Sequence, residues 1–370
     1  MLLGNAGTSK VSQLQVYRGK KVLVTGHTGF KGSWLTEWLV KLGADVIGYS
    51  NEVPTQPSHF EALGLAKRIQ DHRGDIRDLD SLQKLFTTTK PDVVFHLAAQ
   101  PIVRASYDDP KLTFDTNVGG TVNFLEAVRH TNSVRAAVII TTDKVYENNE
   151  HGRPFLENES LGGHDPYSAS KAGTEIVFSS YSRSFFGPKS HAKLVSARAG
   201  NVIGGGDWAA DRIVADCARA WSRGETVKIR NPDSVRPWQH VLEPVAAYLL
   251  MGQRLLEKPE GVQGEAFNIG PTEALTKRTI ELVEELENSW SGAKHLVERA
   301  ASDGKKEAGV LRLNCDKARE RLHWEPILNF QECAAWTAEW YRDYYADPKS
   351  AQKKTAEQIA AFEKRFAAKK

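Results

Sequence analysis

Cysteine is scarce in this 370-residue chain, and the three present, Cys217, Cys315 and Cys333, stand far apart. No C-x-x-C pair or histidine pattern links them, which excludes a zinc site and a disulfide framework. No metal is expected. Long apolar runs are also missing, so no segment has the length to span a bilayer. The first 18 residues lack the apolar core and small-residue cleavage site of a secretory leader, which makes the cytoplasm the expected compartment. An excess of one charge is absent too: 49 Lys and Arg face 46 Asp and Glu, a net of +3. That balance leaves no footprint for nucleic acid or a membrane surface as a partner.

What is present is ordinary for a globular protein, with 41% hydrophobic and 26% charged residues. The length suits one large domain or two interleaved ones. No internal repeat interrupts it. Short runs rich in Val and Ile predict strands at Lys21–Thr25, Asp45–Tyr49, Arg68–Asp71, Asp92–Leu97, Ala136–Thr142 and Lys193–Arg198. Helical patterns at Ser33–Leu42, Leu79–Thr87, Thr113–His130 and Ser168–Phe185 fall between them. This alternation predicts an α/β fold built on a doubly wound parallel sheet, whose binding edge lies at the carboxyl ends of the strands. After Asn201 the pattern becomes irregular, then helical at Thr276–Trp290 and Phe330–Tyr345, with a Lys-, Glu- and Ala-rich tail expected to form a helix.

The first strand runs straight into Gly26-His27-Thr28-Gly29-Phe30-Lys31-Gly32. Three glycines at a strand-to-helix turn let the backbone approach a pyrophosphate, and the helix N-terminus offers it free N–H groups. Glycines also shape ordinary turns, but the position directly after a strand favours a nucleotide site. The second strand ends at Ser50, where an acidic residue would hold the adenosine ribose, and this leaves NAD against NADP partly open. No Lys or Arg stands near Ser50 in the sequence to take a 2′-phosphate, so NAD is the expected cofactor. In Gly74-Asp75-Ile76, Asp75 could meet the adenine amino group or cap the next helix.

Tyr167-Ser168-Ala169-Ser170-Lys171 opens a helix and sets Tyr167 and Lys171 on one face. A positive Lys171 would favour the tyrosinate and make Tyr167 a general base toward a sugar hydroxyl. Alone the pair could be a solvated helix face. With the glycine turn it reads as a redox site.

These residues, with His96-Leu97-Ala98-Ala99-Gln100 and Asn117-Val118-Gly119-Gly120-Thr121, resemble the extended short-chain dehydrogenase/reductase family of NAD-dependent epimerases and dehydratases. The resemblance covers Lys20 to Trp340 and implies a Rossmann-like fold. It implies a dinucleotide site built from Gly26, Gly29, Phe30, Lys31, Gly32, Ser50, Asp75, Ile76, Leu97, Ala98, Ala99 and Asn117. It also implies an NAD-binding domain over 1–200, with about 240–262 packing back on it. A substrate domain follows over 201–239 and 263–345, and a tail helix over 346–370. Relatives form a dimer-making bundle from the helices at Thr113–His130 and Ser168–Phe185, so a homodimer or higher homo-oligomer is expected.

Thr141-Thr142-Asp143-Lys144 discriminates within the family. Epimerases usually carry small or hydroxyl residues there, whereas the 4,6-dehydratases place an acid and a base. Asp-Lys resembles the branch acting on CDP-glucose, as do Gly162-Gly163-His164-Asp165-Pro166, Gly204-Gly205-Gly206-Asp207-Trp208 and Arg236-Pro237-Trp238-Gln239-His240. The bland reading makes Asp143 and Lys144 a surface ion pair. The resemblance implies that Tyr167 and Thr142 serve oxidation at sugar C4, Lys144 takes the C5 proton, and Asp143 protonates the departing 6-hydroxyl. For a nucleotide-sugar substrate it points to Gln100, Arg104, Asn201, Arg212, Arg236 and Asn268, although a surface role for Arg212 stays open. The rivals are a nucleotide-sugar 4-epimerase, a dehydratase for another nucleotide sugar, and a non-catalytic dinucleotide sensor. Residue types do not read the nucleobase.

Overall fold

The apolar runs form strands because helices cover both of their faces. In the computed structural model, residues 14–148, 152–271, 276–298 and 311–369 are described. The first part of the chain runs β1 (Lys21–Thr25), α1 (Phe30–Lys41), β2 (Asp45–Ser50), α2 (His59–Ala62), β3 (Gln70–Arg73), α3 (Leu79–Thr89) and β4 (Val93–His96). Then come α4 (Val103–Asp108), α5 (Pro110–Phe114), α6 (Gly120–Arg129), β5 (Ala136–Thr142), α7 (Pro166–Phe185) and β6 (Lys193–Ala199). The next elements are β7 (Val202–Ile203), α8 (Ile213–Ser222), β8 (Val227–Ile229), β9 (Val235–Pro237), β10 (Gln239–His240), α9 (Leu242–Glu257) and β11 (Ala266–Ile269). Last are β12 (Thr276–Arg278), α10 (Thr279–Glu287), β13 (His295–Val297), α11 (Asp316–Leu322), α12 (Phe330–Ala346) and α13 (Ser350–Ala368).

Seven strands form one sheet in the order β11-β6-β5-β4-β1-β2-β3, and every neighbouring pair is parallel. One face buries Trp34, Leu35 and Trp38 of α1 with Val245 and Leu249 of α9. The other buries Phe86 of α3, Phe124 and Val128 of α6 and Phe178 of α7. Each such side chain contributes roughly 1.5–3 kcal/mol, which makes the sheet a stiff base for the site. The doubly wound architecture expected from the sequence is the one observed.

Three expectations need correction. The helix expected over Thr113–His130 is broken by a π turn at Asp115–Gly119. Thr276–Arg278, expected as helix, pairs antiparallel with β9 before α10 begins. Residues 266–269, expected in the substrate region, form the edge strand β11 of the main sheet, because Ala266–Ile269 can pair with Ser196–Ala199.

Candidate active site

Two features of the first crossover fix the glycine turn. Gly26 has φ +75°, and a Cβ there would meet the backbone N of Ala98 at 2.7 Å. A Cβ on Gly32 would collide with the Gly26 carbonyl. The chain therefore passes close to the end of β4, and the first residues of α1 line a cleft of about 570 Å³. Gly26, Gly29, Phe30, Lys31, Gly32, Ser50, Asp75, Ile76, Leu97, Ala98, Ala99 and Gln100 all line it, with Tyr167, Lys171 and Arg212 at its other end. A bare-backbone cradle beneath a helix N-terminus, with a wall on either side, fits a dinucleotide.

Sequence reasoning missed His27, although a histidine inside a turn of small residues is a visible signal. Its ring is buried; Nε2 meets Asp71 Oδ1 at 2.9 Å and Nδ1 meets the Ser50 hydroxyl at 3.0 Å. Burial lowers its pKa against the pull of Asp71. Ser50 thus lines the cleft with its hydroxyl already engaged. Arg73 stands opposite Ser50 across the β2–β3 pair, a neighbour in space that the sequence around Ser50 does not show. Its guanidinium donates to Asp71 at 2.8 Å and lies over the Phe60 ring. Asp75 does not cap α3. Asp78 does so, accepting from Ser81 N, while Asp75 pairs with Arg77 at 2.6 Å.

Asn117 is another correction, because its side chain is spent on the protein. The π turn brings it to Gln100, whose N–H donates to Asn117 Oδ1 at 2.8 Å, and its amide donates to Gln100 O and Ser170 Oγ. It braces the β4 loop against α7. Asn268 lies in a separate buried network, where it accepts from the Tyr146 hydroxyl and donates to the carbonyls of Phe155 and Asn314. The same network joins Arg198 and Glu175 at 2.8 Å, with Thr141 donating to Glu175. Asn268 supports the end of β5 from behind and has no face on the cleft.

Asp165 caps α7 by accepting from Ser168 N at 2.9 Å, and Pro166 starts it, which fixes Tyr167 in the first turn. Burial pushes the Tyr167 phenol up to about 12, opposed first by the Thr142 hydroxyl and then by the charge of Arg212. The expected lowering by Lys171 is not found. The Lys171 ammonium is turned to the Ile140 carbonyl at 3.3 Å, and burial, followed by the charge of Lys31, pulls its pKa down to about 7.

Thr142 ends β5 and Asp143 and Lys144 occupy the turn beyond it, next in the chain to Ile140 and Thr141 of the cleft wall. The Thr142 hydroxyl donates to Asp143 Oδ1 at 3.0 Å. Asp143 is 2% exposed and its Oδ2 has no hydrogen-bond partner among the described residues. Burial raises the pKa of this carboxyl, while Lys144, Thr142, Arg236 and Lys31 pull it back. Asp143 is therefore no surface ion-pair residue.

The remaining residues expected at the substrate are spread around the far end. Arg212 lies on the cleft wall, 3.7 Å from Asp207. Arg236 stands on β9 within the field of Asp143 and donates to Val235 O. Arg104 is half-exposed on α4, 3.9 Å from Asp211. Asn201 uses its backbone carbonyl to accept from Gln239 N. Among the described residues no cluster could hold a metal ion, and no helix is long and apolar enough to cross a membrane.

A parallel sheet with a glycine turn after β1, and Tyr167 and Lys171 one helical turn apart beside β5, define the extended short-chain dehydrogenase/reductase class. A family model described as GDP-mannose 4,6 dehydratase matches residues 23–337, and the chain belongs to that family. It is 44% identical over 332 residues to CDP-glucose 4,6-dehydratase of Salmonella typhimurium, covering 88% of this chain and 91% of that one. It is 30% identical to dTDP-glucose 4,6-dehydratase of Streptomyces antibioticus, over 87% of this chain and 92% of the other. Among solved structures, UDP-glucose 4-epimerase of Thermus thermophilus in complex with NAD is 28% identical with a TM-score of 0.75, covering 87% and 99% of the two chains.

Proposed function

We propose that this chain is a CDP-glucose 4,6-dehydratase, a hydro-lyase that converts CDP-D-glucose to CDP-4-keto-6-deoxy-D-glucose with NAD retained. The observation that carries the reading is the buried Asp143 and its neighbour Lys144 beside Tyr167, in a chain 44% identical to such an enzyme. An acid, a base and a redox phenol at one strand end are what a 4,6-elimination needs beyond an epimerisation.

The N–H groups from Phe30 to Gly32 would hold the pyrophosphate of NAD, with Asp75, Ile76 and Leu97–Ala99 as the further cleft residues that would receive it. When bound, NAD supplies a hydride acceptor for sugar C4 and, later, a hydride donor for C6. Tyr167 takes the proton of the 4-hydroxyl, with Thr142 and the charge of Arg212 favouring the phenolate. The 4-ketone acidifies the C5 proton, which Lys144 removes and returns to C5 once C6 has been reduced. Asp143 protonates the departing 6-hydroxyl, and burial favours the protonated form that a general acid requires. Arg212 and Arg236 suit the diphosphate, with Gln100, Arg104 and Asn201 nearby.

The product feeds bacterial deoxysugar synthesis of the O-antigen type, in the cytoplasm. The working form is a homodimer or higher homo-oligomer joined through Tyr107, Leu112 and Phe114 and through Ile176 and Phe185, large apolar side chains left exposed on α4, α5 and α7. Incubating the chain with CDP-, UDP-, dTDP- and GDP-glucose tests the reading. A 4-keto-6-deoxy product, absorbing in strong alkali, should form fastest from the CDP sugar. An epimer from any of them would overturn it.

A further inference from the structure

The C-terminal helix α13 packs back on α1 and α2. A path of hydrogen bonds runs from it to the glycine turn. Trp340 Nε1 donates to Thr355 Oγ1 at 2.9 Å, and Thr355 Oγ1 meets His59 Nε2 at 3.1 Å. His59 Nδ1 meets Ser33 Oγ at 2.8 Å, and Ser33 donates to the Phe30 carbonyl at 2.9 Å. Trp340 has only a proton to give, and Ser33 gives its own to Phe30, so Ser33 accepts from His59 Nδ1–H. Burial pushes the His59 pKa down to about 3 and keeps the imidazole neutral, which leaves Nε2 to accept from the Thr355 hydroxyl. Trp340, Thr355, His59 and Ser33 are each at most 1% exposed, so the path is shielded from bulk water.

The path ends where the cofactor cleft begins. Phe30 is the first residue of α1, and His59 itself lines the cleft with Ser58. The His59 ring stacks on Trp34 at 4.8 Å, and Trp34 Nε1 donates to the Gly205 carbonyl at 2.9 Å. Gly206, on the opposite wall, lies so close that a Cβ there would meet the His59 ring at 2.6 Å. One imidazole thus touches the glycine helix and both walls, and α13 fixes its orientation.

We propose that α13 is a positioning element of the dinucleotide site, acting through Thr355 and His59 to hold the cleft walls against the first turn of α1. The inference rests on the NAD reading above. Thr355 lies outside the cleft, so its effect passes through the wall: a preformed wall lowers the ordering cost of binding.

The test is NAD titration of the full-length chain, read by tryptophan fluorescence, beside its melting temperature without nucleotide. Thr355→Val keeps the shape but leaves Trp340 N–H and His59 Nε2 without partners. NAD binding should weaken by about tenfold, the scale of a broken buried hydrogen bond. Thr355→Ser restores the hydroxyl and should bind like wild type. Ser33→Ala breaks the path at its other end, leaves α13 intact and should weaken NAD binding similarly, which keeps the test open if the valine variant folds poorly. Wild-type NAD affinity in both broken variants, even with a lower melting temperature, would overturn the proposal. So would equal weakening in Thr355→Ser and Thr355→Val. If the wild-type chain itself binds no NAD, the cofactor reading fails and takes this inference with it.

Discussion

The Thr142 hydroxyl donates to Asp143 Oδ1 across 3.0 Å, holding the carboxyl inside the protein with its other oxygen unpartnered among the described residues. An unpartnered buried carboxylate oxygen is costly as an anion and far less so as a protonated acid. Asp143→Asn keeps the size and the bond from Thr142 but cannot release a proton. Product formation should fall by about 100-fold or more, as expected for loss of a general acid, while melting temperature changes little. Because burial raises the Asp143 pKa, wild-type elimination should decline as pH rises through that value, and a pH–rate profile for single turnover would show the limb.

Lys144→Ala and Tyr167→Phe should stop the reaction at different points. Tyr167→Phe lacks the base for the 4-hydroxyl, so bound NADH should not form when substrate is added. Lys144→Ala should form bound NADH but lose roughly 100-fold or more in the exchange of the C5 proton with deuterated water. Wild-type exchange in Lys144→Ala would reduce Lys144 to a charge partner of Asp143.

Much of this site was visible in the sequence because it is local. The glycine turn, the Thr142–Lys144 turn and the Tyr167/Lys171 spacing each lie within seven residues, and β1 and β5 have the expected bounds. What escaped depends on distant partners. Asn117 meets the backbone of Gln100, 17 residues away, from a π turn inside the expected helix. Asn268 was read as a substrate ligand because nothing local shows Tyr146 donating to it across 122 residues. The tail reads locally only as a helix, yet Thr355 meets His59 from 296 residues away.

Glu243 offers a test of the scaffold apart from catalysis. Its buried Oε1 accepts from the N–H groups of Ile327 and Leu328, and burial pushes its pKa up to about 7. A raised carboxyl pKa gives stability that is complete below the unfolded value, about 4.3, and is lost as pH rises through 7. Glu243→Gln should melt close to wild type at pH 5 and above it at pH 8. The gap is limited to about 4 kcal/mol, at 1.36 for each tenfold change in acidity. Parallel melting curves across that range would show that Glu243 does not titrate there.

The dehydratase account stands or falls on where the C4 hydrogen goes. The direct measurement supplies CDP-glucose deuterated at C4 to the wild-type protein and locates the label in the product by NMR. The account predicts deuterium at C6 of a 4-keto-6-deoxy sugar, with no net NADH in solution. Deuterium still at C4 of a hexose, or released as free labelled NADH, would contradict it.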